Sequence, residues 1–319
     1  MFSGMKYVYA VYKERSFSKA AETLYISQPA LSAMIKKVEA KVGMELFDRT
    51  TSPIRLTECG KRYIETAERI MDLENEFACY VGDINELRTG ELSVGGSYLF
   101  SAFVLPPIIM EFSRKYPHVN VNLFEGHTSQ LEEKLFQGEL DLIIDNYLLE
   151  DSIYQKYVFM EEHLILAVPR SFSENRLVEA CQLTAEDIKN NRHLDPEHPA
   201  VSLKVFANEP FVLLRLHNDT RKRVESICAR AGVKLNVTMM LNQLLTTYHL
   251  TGFGMGASVI SDTVIKSQAV DPEIVYYKID DPEAVRQVYL YHRKSKFLTR
   301  SMMEFMKIAL PGVFDAGRS

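Results

Sequence analysis

Phe17-Ser18-Lys19-Ala20-Ala21-Glu22-Thr23-Leu24-Tyr25-Ile26-Ser27-Gln28-Pro29-Ala30-Leu31-Ser32 decides how this chain is read. Ser18 suits the N-cap of a helix over Lys19–Tyr25, with Ala20, Ala21 and Leu24 as its small inward face. After a short break, Ser27 caps a second helix, Gln28 to Val42. Pro29 falls in its first turn, where a missing N–H costs nothing. Leu31, Met34, Ile35 and Val38 form its apolar stripe. Gly43 closes it in the left-handed conformation that glycine fills most cheaply. Two helices joined by so tight a turn, the first packed on alanines, make a helix-turn-helix.

The flanks agree. Upstream, Tyr7, Val8, Val11 and Tyr12 follow helical spacing. Downstream, Glu45-Leu46-Phe47-Asp48-Arg49 and Ile54-Arg55-Leu56-Thr57 bracket the polar Thr50-Thr51-Ser52-Pro53, as two short extended pieces around a turn. Thr57 then caps a long helix running to about Arg88. Its apolar positions (Tyr63, Ala67, Ile70, Leu73, Phe77, Val81, Ile84 and Leu87) recur at three- and four-residue intervals, the spacing of a coiled-coil seam. A helix with one such stripe is expected to pair with a second copy.

The chain has 319 residues and a net charge of −5, unevenly spread. Residues 1–62 hold eleven Lys/Arg against six Asp/Glu, a net of +5, which leaves −10 on the remainder. A basic head on an acidic body suits a nucleic-acid partner for the head. The apolar stretch Ala102 to Met110 is far short of a membrane helix, and the N-terminus lacks the basic-then-apolar pattern of an export signal. Cys59, Cys79, Cys181 and Cys228 are spaced as neither a disulfide framework nor a zinc cluster. A cytoplasmic protein is expected.

From residue 90 the pattern alternates strand and helix, twice over. The first series is strand Leu92–Gly95, helix Phe103–Lys115, strand Val119–Phe124, helix Ser129–Gln137 and strand Leu140–Asp145. The second is strand Phe211–Leu214, helix Thr220–Ala231, strand Leu235–Met240, helix Asn242–Leu250 and strand Met255–Ile260. Such alternation implies parallel sheet covered by helices. An apolar strand at His163–Pro169 reads as the crossover between two lobes. The chain is expected to return near residues 266–280, before a last strand (Val285–His292) and a helix (Phe297–Ala309). Segment 171–210 contains loops such as Asp195-Pro196-Glu197-His198-Pro199.

Residues 17–32 resemble the N-terminal signature of the LysR-type transcriptional regulators. Leu46-Phe47-Asp48-Arg49-Thr50 and Leu56-Thr57-Glu58-Cys59-Gly60 are similar to that family's wing and linker-helix start. Asp141-Leu142-Ile143-Ile144, Arg230-Ala231-Gly232 and Thr251-Gly252-Phe253-Gly254-Met255-Gly256 are similar to parts of its effector domain. One departure is Ala257-Ser258-Val259-Ile260, where the family commonly has a proline. The resemblance implies an α plus α/β fold. A winged helix-turn-helix (1–58) is followed by a linker dimerisation helix (59–89). A two-lobed, periplasmic-binding-protein-like effector domain follows, with lobe 1 at 90–168 and 268–319 and lobe 2 at 169–267. It further implies a homodimer or homotetramer on double-stranded DNA, contact with RNA polymerase, and a small-molecule effector between the lobes.

If Gln28–Val42 lies in the major groove, its first two turns face the bases. Ser27, Gln28, Pro29, Ala30 and Ser32 are the candidate readers: Gln28 can bond adenine bidentately, and Pro29 and Ala30 can touch a thymine methyl. Lys36, Lys37, Arg49 and Arg55 are candidates for the DNA backbone or, on the wing, the minor groove. For the effector, Ser97, Tyr98 and Ser101 lie just past the first strand, and Thr128 and Ser129 past the second. His217 and Asn218 hold the same place in the other lobe. Backbone N–H groups there favour an anion, so an anionic metabolite is expected.

Catalytic patterns are incomplete. Ser16-Phe17-Ser18-Lys19 sits in the basic head without companion motifs, and Gly256-Ala257-Ser258-Val259-Ile260 lacks the last glycine of a nucleophile elbow. Gly252-Phe253-Gly254-Met255-Gly256 is misspaced for a dinucleotide loop. His193 and His198 read as surface residues of a proline-rich loop rather than metal ligands. No enzyme, cofactor or metal is expected. The alternatives are a regulator of the same fold switched by oxidation of Cys181 and Cys228, although nothing basic clusters beside Cys181 to favour its thiolate, and one that acts without any ligand.

Overall fold

The computed structural model describes residues 2–51, 53–83, 90–216 and 218–313, with backbone alone for 78–83. The chain divides into two compact units, Met1–Glu86 and Leu87–Ser319.

The first unit comprises α1 (Met5–Glu14), α2 (Phe17–Thr23), α3 (Gln28–Val42), strands β1 (Phe47–Asp48) and β2 (Arg55–Leu56), and α4 (Glu58–Asp83). Helix α2 starts two residues earlier than expected. Ser16, not Ser18, is its N-cap, accepting from the Lys19 N–H at 3.4 Å. The shift brings Phe17 into the core beside Ala20 and Ala21, edge-on to Phe47. Tyr25 makes the turn at φ +54. Ser27 caps α3 by accepting from the Ala30 N–H, and Gly43 ends it at φ +85. Leu31, Ile35 and Val38 are buried, while Met34 is only half-covered. Thr57 Oγ1 accepts from the Gly60 N–H at 2.9 Å and donates to the Glu45 carbonyl at 2.7 Å, joining the start of α4 to the wing. Gly60 is required by close approach: a Cβ there would stand 2.0 Å from the Leu46 carbonyl oxygen. Tyr63, Ile64 and Ala67 pack into this unit's own core, whereas Leu73 and Phe77 stand exposed. Of the remaining stripe, the side chain of Val81, and Ile84 and Leu87 altogether, lie outside the described residues.

The second unit begins with β3 (Gly90–Gly96), α5 (Tyr98–Phe103), α6 (Leu105–Lys115), β4 (Val119–Glu125), α7 (Thr128–Phe136) and β5 (Leu142–Asp145). The helix expected over Phe103–Lys115 begins at Leu105, and an additional short helix, α5, precedes it. The break falls at Val104, because Pro106 fits the first turn of a new helix better than the interior of an old one. β4, β3 and β5 run parallel, with β3 central.

β6 (Tyr154–Pro169) is longer than the expected crossover strand. After it come α8 (Ala185–Lys189), β7 (Pro210–Leu214), α9 (Asp219–Ala231), β8 (Asn236–Leu241), α10 (Leu244–Gly252), β9 (Ser258–Ser261), α11 (Asp262–Ser267), β10 (Ile274–Lys278), β11 (Val285–Arg293) and α12 (Arg300–Ala309). Besides loops, the 171–210 segment holds α8 and single-turn 3-10 helices at Arg192–Leu194 and Leu203–Phe206. β9 starts later than expected, since the chain must first pass Gly254 at φ +78 and Gly256, where a Cβ would meet the Pro210 carbonyl oxygen at 2.8 Å.

Antiparallel pairing enters where the two series join. The N-terminal half of β6 pairs antiparallel with β11, and β11 in turn with β5. The C-terminal half of β6 pairs antiparallel with β9 and β10. β7 and β8 are parallel, and β7 is bridged to the segment before β9 through Phe211 and Ala257. A strand passing between two sheets, and one coming back, must meet the next strand head to tail. Alternation along β6 then serves two cores: Leu164, Leu166 and Val168 face one, Ile165 and Ala167 the other. β10 divides likewise, with Val275 and Tyr277 in one and Ile274 and Tyr276 in the other. Among the described residues, no helix is long and apolar enough to cross a membrane.

Candidate nucleic-acid interface and ligand site

The outer side of α3 is built by its inner side. With Leu31, Ile35 and Val38 fully committed to the core, Ser27, Gln28 and Pro29 are left exposed and Ala30 and Ser32 half-exposed. Gln28 Nε2 donates to Ser32 Oγ at 3.4 Å, so these two expected readers sit one turn apart on one face. Lys36 and Lys37 are exposed beyond them. Arg55, also exposed, stands opposite Asp48 in the wing; hydrogen bonds from Thr50, and then Arg55, hold the Asp48 carboxyl below its usual pKa.

Arg49 is a different matter. Its Nη2 lies 2.7 Å from Glu39 Oε2, and its guanidinium covers the Phe17 ring at 5.1 Å. Glu39 is itself buried, and its other oxygen accepts from the Leu46 N–H at 2.9 Å. Arg49 therefore neutralises a buried carboxylate that fastens the wing to α3, and its charge is largely spent inside the unit. Glu39 went unnoticed in the sequence because a lone acid in a helix ordinarily faces water. Tyr25 was also passed over; it is 97% exposed at the left-handed corner of the turn. A bulky aromatic where glycine or asparagine is usual was the available signal.

In the second unit the candidate ligand residues fare unevenly. Ser97 is the N-cap of α5 but makes no side-chain capping bond, and Tyr98 beside it is exposed. Ser101 is corrected: it lies a turn inside α5, buried, with Oγ donating to the Gly96 carbonyl at 3.0 Å. Thr128 does not cap α7, whose N-cap is His127. Thr128 Oγ1 instead donates to Asp145 Oδ2 at 2.9 Å, and Ser129 is exposed. Asn218 caps α9, accepting from the Thr220 N–H at 2.9 Å. His217 lies outside the described residues.

The carboxyl ends of the strands nevertheless converge. The Gly126 N–H donates to the Gly96 carbonyl, closing the ends of β3 and β4. Lys222 of α9 sets its ammonium 5.3 Å from the centre of the Tyr147 ring, just past β5. Arg286 of β11 reaches Asp219 Oδ2 at 2.8 Å and Thr220 Oγ1 at 3.0 Å. Asp145, missed in the sequence although it ends the apolar run Leu142-Ile143-Ile144, is buried where these elements meet. Burial pushes its carboxyl above the usual pKa, against the hydrogen bonds from Tyr147, Thr128 and Asn146 and the charge of Arg286.

Cys181 and Cys228 both lie half-buried against the same core. Burial pushes the Cys228 thiol up, opposite to what a peroxide-reactive thiolate needs.

Comparisons with known proteins accord with both units. Residues 2–61 match the family model for bacterial regulatory helix-turn-helix proteins of the lysR family, and residues 85–312 match that of the LysR substrate binding domain. Over 315 residues the chain is 29% identical to the "Uncharacterized HTH-type transcriptional regulator YcgK" of Bacillus subtilis (strain 168), covering 98% of this chain and 96% of that one. It is 26% identical to a "Probable RuBisCO transcriptional regulator" of Trieres chinensis, covering 87% and 85%. Among solved structures, a full-length, singly substituted OxyR from Pseudomonas aeruginosa superposes with a TM-score of 0.70 at 21% identity, covering 97% and 93%. Full-length CbnR complexed with its target DNA gives 0.56 at 21% identity, covering 97% and 98%. The chain belongs to the LysR family of transcriptional regulators, with a helix-turn-helix for DNA and an effector-binding domain behind it.

Proposed function

We propose that this regulator reads an interrupted inverted repeat as a homodimer or homotetramer, and that a small-molecule effector held between the lobes changes how it does so. The supporting observation is α3: its core face is closed and its opposite face presents Ser27, Gln28, Pro29, Ala30 and Ser32 together. In this reading those residues meet base edges, while Lys36, Lys37 and Arg55 meet phosphates. Arg49 contributes by holding the wing, and Tyr25 packs along the sugar-phosphate edge.

The domain division follows the same reading: head at 1–58, pairing helix at 59–89, lobe 1 at 90–168 with 268–319, and lobe 2 at 169–267. Leu73 and Phe77, exposed on α4, supply the apolar surface that a second copy covers. The ligand site is formed by Ser97, Tyr98, Thr128, Ser129 and Asn218, with His217 beside them. Asp145 joins them through Thr128, whose hydroxyl donates to it at 2.9 Å, and burial holds its carboxyl above the usual pKa. The protein works in the cytoplasm alongside RNA polymerase and catalyses no reaction.

Selection of binding sites from random duplexes with the purified full chain tests the DNA reading. Enrichment of an inverted repeat is expected, with preference at one base position relaxed in Gln28→Ala; retention of no sequence above background removes the reading. A thermal-shift screen of the full chain against carboxylates and small sulfur and nitrogen compounds tests the effector reading. A ligand at a hundred times its Kd stabilises by about 2.7 kcal/mol. The shift should disappear in Ser97→Ala.

A further inference from the structure

His193 does not lie on the surface, as its proline-rich surroundings suggested. Its side chain is wholly buried, and Nε2 lies 3.2 Å from Asp262 Oδ2. The ring of His163, from the crossing strand β6, meets the His193 ring edge to face at 5.5 Å. One donor atom from each of His163, His193 and Asp262 can be chosen so that all three lie within 4.8 Å of one another.

We propose that His163, His193 and Asp262 bind a borderline divalent transition-metal ion, of which Zn2+ is the representative. Two imidazoles and a carboxylate are the donor set such ions prefer over hard ions like Mg2+. Ligands at about 2.1 Å from one ion stand about 3.4 Å apart, so the three side chains close by roughly 1 Å on binding. A fourth donor stands ready, since Glu161 Oε1 is 3.4 Å from His163 Nε2.

The surroundings are those of a ligand set. The His163 backbone N–H donates to Asp262 Oδ1 at 3.0 Å, fixing the carboxylate from behind, as outer partners of metal ligands do. His193 Nδ1 is buried with no hydrogen-bond partner, and so is Thr263 Oγ1, next in the chain to Asp262. Buried polar atoms of that kind are rare and ask for an explanation.

Without the metal, the positive charge beside Asp262 is supplied by Lys266, whose Nζ lies 2.8 Å from Oδ2. This lysine is one-third exposed, and it competes with the ion for the same oxygen. An ion in its place ties β6 to α11 and to the Arg192–Leu194 turn, across the strand on which both cores depend. The site draws on no residue of the proposed effector site, so either stands without the other.

The test uses the full chain, stripped of metal by a chelator and free of a histidine tag, titrated with Co2+ and followed by visible absorption. One Co2+ per chain is expected, with the ligand-field bands of nitrogen and oxygen ligation, displaced by Zn2+ and not by Mg2+. His163→Gln and Asp262→Asn should each weaken binding about tenfold or more. Lys266→Met, which leaves every ligand in place, should tighten it. The proposal is overturned if neither the unaltered chain nor Lys266→Met binds Co2+, if the spectrum is that of thiolate ligation, or if His163→Gln binds as tightly as the parent.

Discussion

Arg286 and Glu162 face each other across the β6–β11 ladder, Nη2 to Oε2 at 2.6 Å, with both side chains essentially free of solvent. The pair lies where the chain passes between the two sheets. Arg286 also binds Asp219 and Thr220 at the head of α9, and Glu162 accepts from Ser261 at the end of β9. Removing one partner strands the other charge. Arg286→Ala should destabilise the second unit by about 3–5 kcal/mol, while Arg286→Met with Glu162→Leu should recover much of that loss. Urea unfolding of the two variants decides it: a double variant as unstable as the single one would mean that the charges are worth more than their desolvation.

Base reading and backbone contact are separable on α3. Gln28→Ala should relax preference at one base position, at a cost of about 1–3 kcal/mol on the preferred site. Lys36→Ala should weaken all sequences alike and lower the salt slope by about one. Binding curves on preferred and scrambled duplexes at several salt concentrations distinguish the two. Equal loss of discrimination in both variants would disprove the division.

Arg49 is expected to behave unlike Lys36. Since its partner is Glu39, Arg49→Ala should reduce DNA affinity through a loosened wing, with the salt slope unchanged. Glu39→Ala frees the Leu46 N–H as well and should destabilise the head by about 1–3 kcal/mol. A salt slope that falls by a full unit in Arg49→Ala would return that residue to the phosphates.

On α4 the apolar stripe splits at about Ile70, with Tyr63 and Ala67 covered by the head and Leu73 and Phe77 bare. Phe77→Asp should raise the dimer Kd about a hundredfold or more, since burying a phenylalanine is worth about 1.5–3 kcal/mol and each dimer loses two. Sedimentation equilibrium measures this directly. An unaltered Kd would place the pairing surface elsewhere.

The Tyr116 hydroxyl donates to Glu304 Oε2 at 2.7 Å, and Lys307 holds the other oxygen. Burial, then Glu304, push Tyr116 up to about 12, and Lys307 and Tyr116 outweigh burial to keep Glu304 below its usual pKa. The Tyr116 contribution is present below its unfolded value near 10 and lost as pH rises through about 12. The Glu304 contribution is present above its unfolded value of about 4.3 and lost as pH falls through the folded one. Glu304→Gln should thus cost about 1 kcal/mol at neutral pH, a difference that fades below about pH 4. Urea midpoints across that range report it; a constant difference would assign the effect to packing.

Local rules carried much of the reading. Ser27, Pro29 and Gly43 mark the bounds of α3 by capping chemistry alone, and the repeated strand–helix alternation announced the parallel strands. Those signals live within a few residues, where backbone geometry and side-chain type suffice. What depends on partners distant in the chain stayed hidden. Ser101 and Thr128 have the right type and position for a ligand, yet the bonds to Gly96 and Asp145 decide what their hydroxyls do. Arg49 counts as a surface cation until Glu39 is seen beneath it. His193 reads as a loop residue until α11 brings Asp262 against it. Chain order alone settled the helix-turn-helix, the two strand–helix series and the family they belong to; only tertiary packing decided which polar side chains remain free, because a charge or hydroxyl is spent on whichever partner the fold brings within about 3 Å.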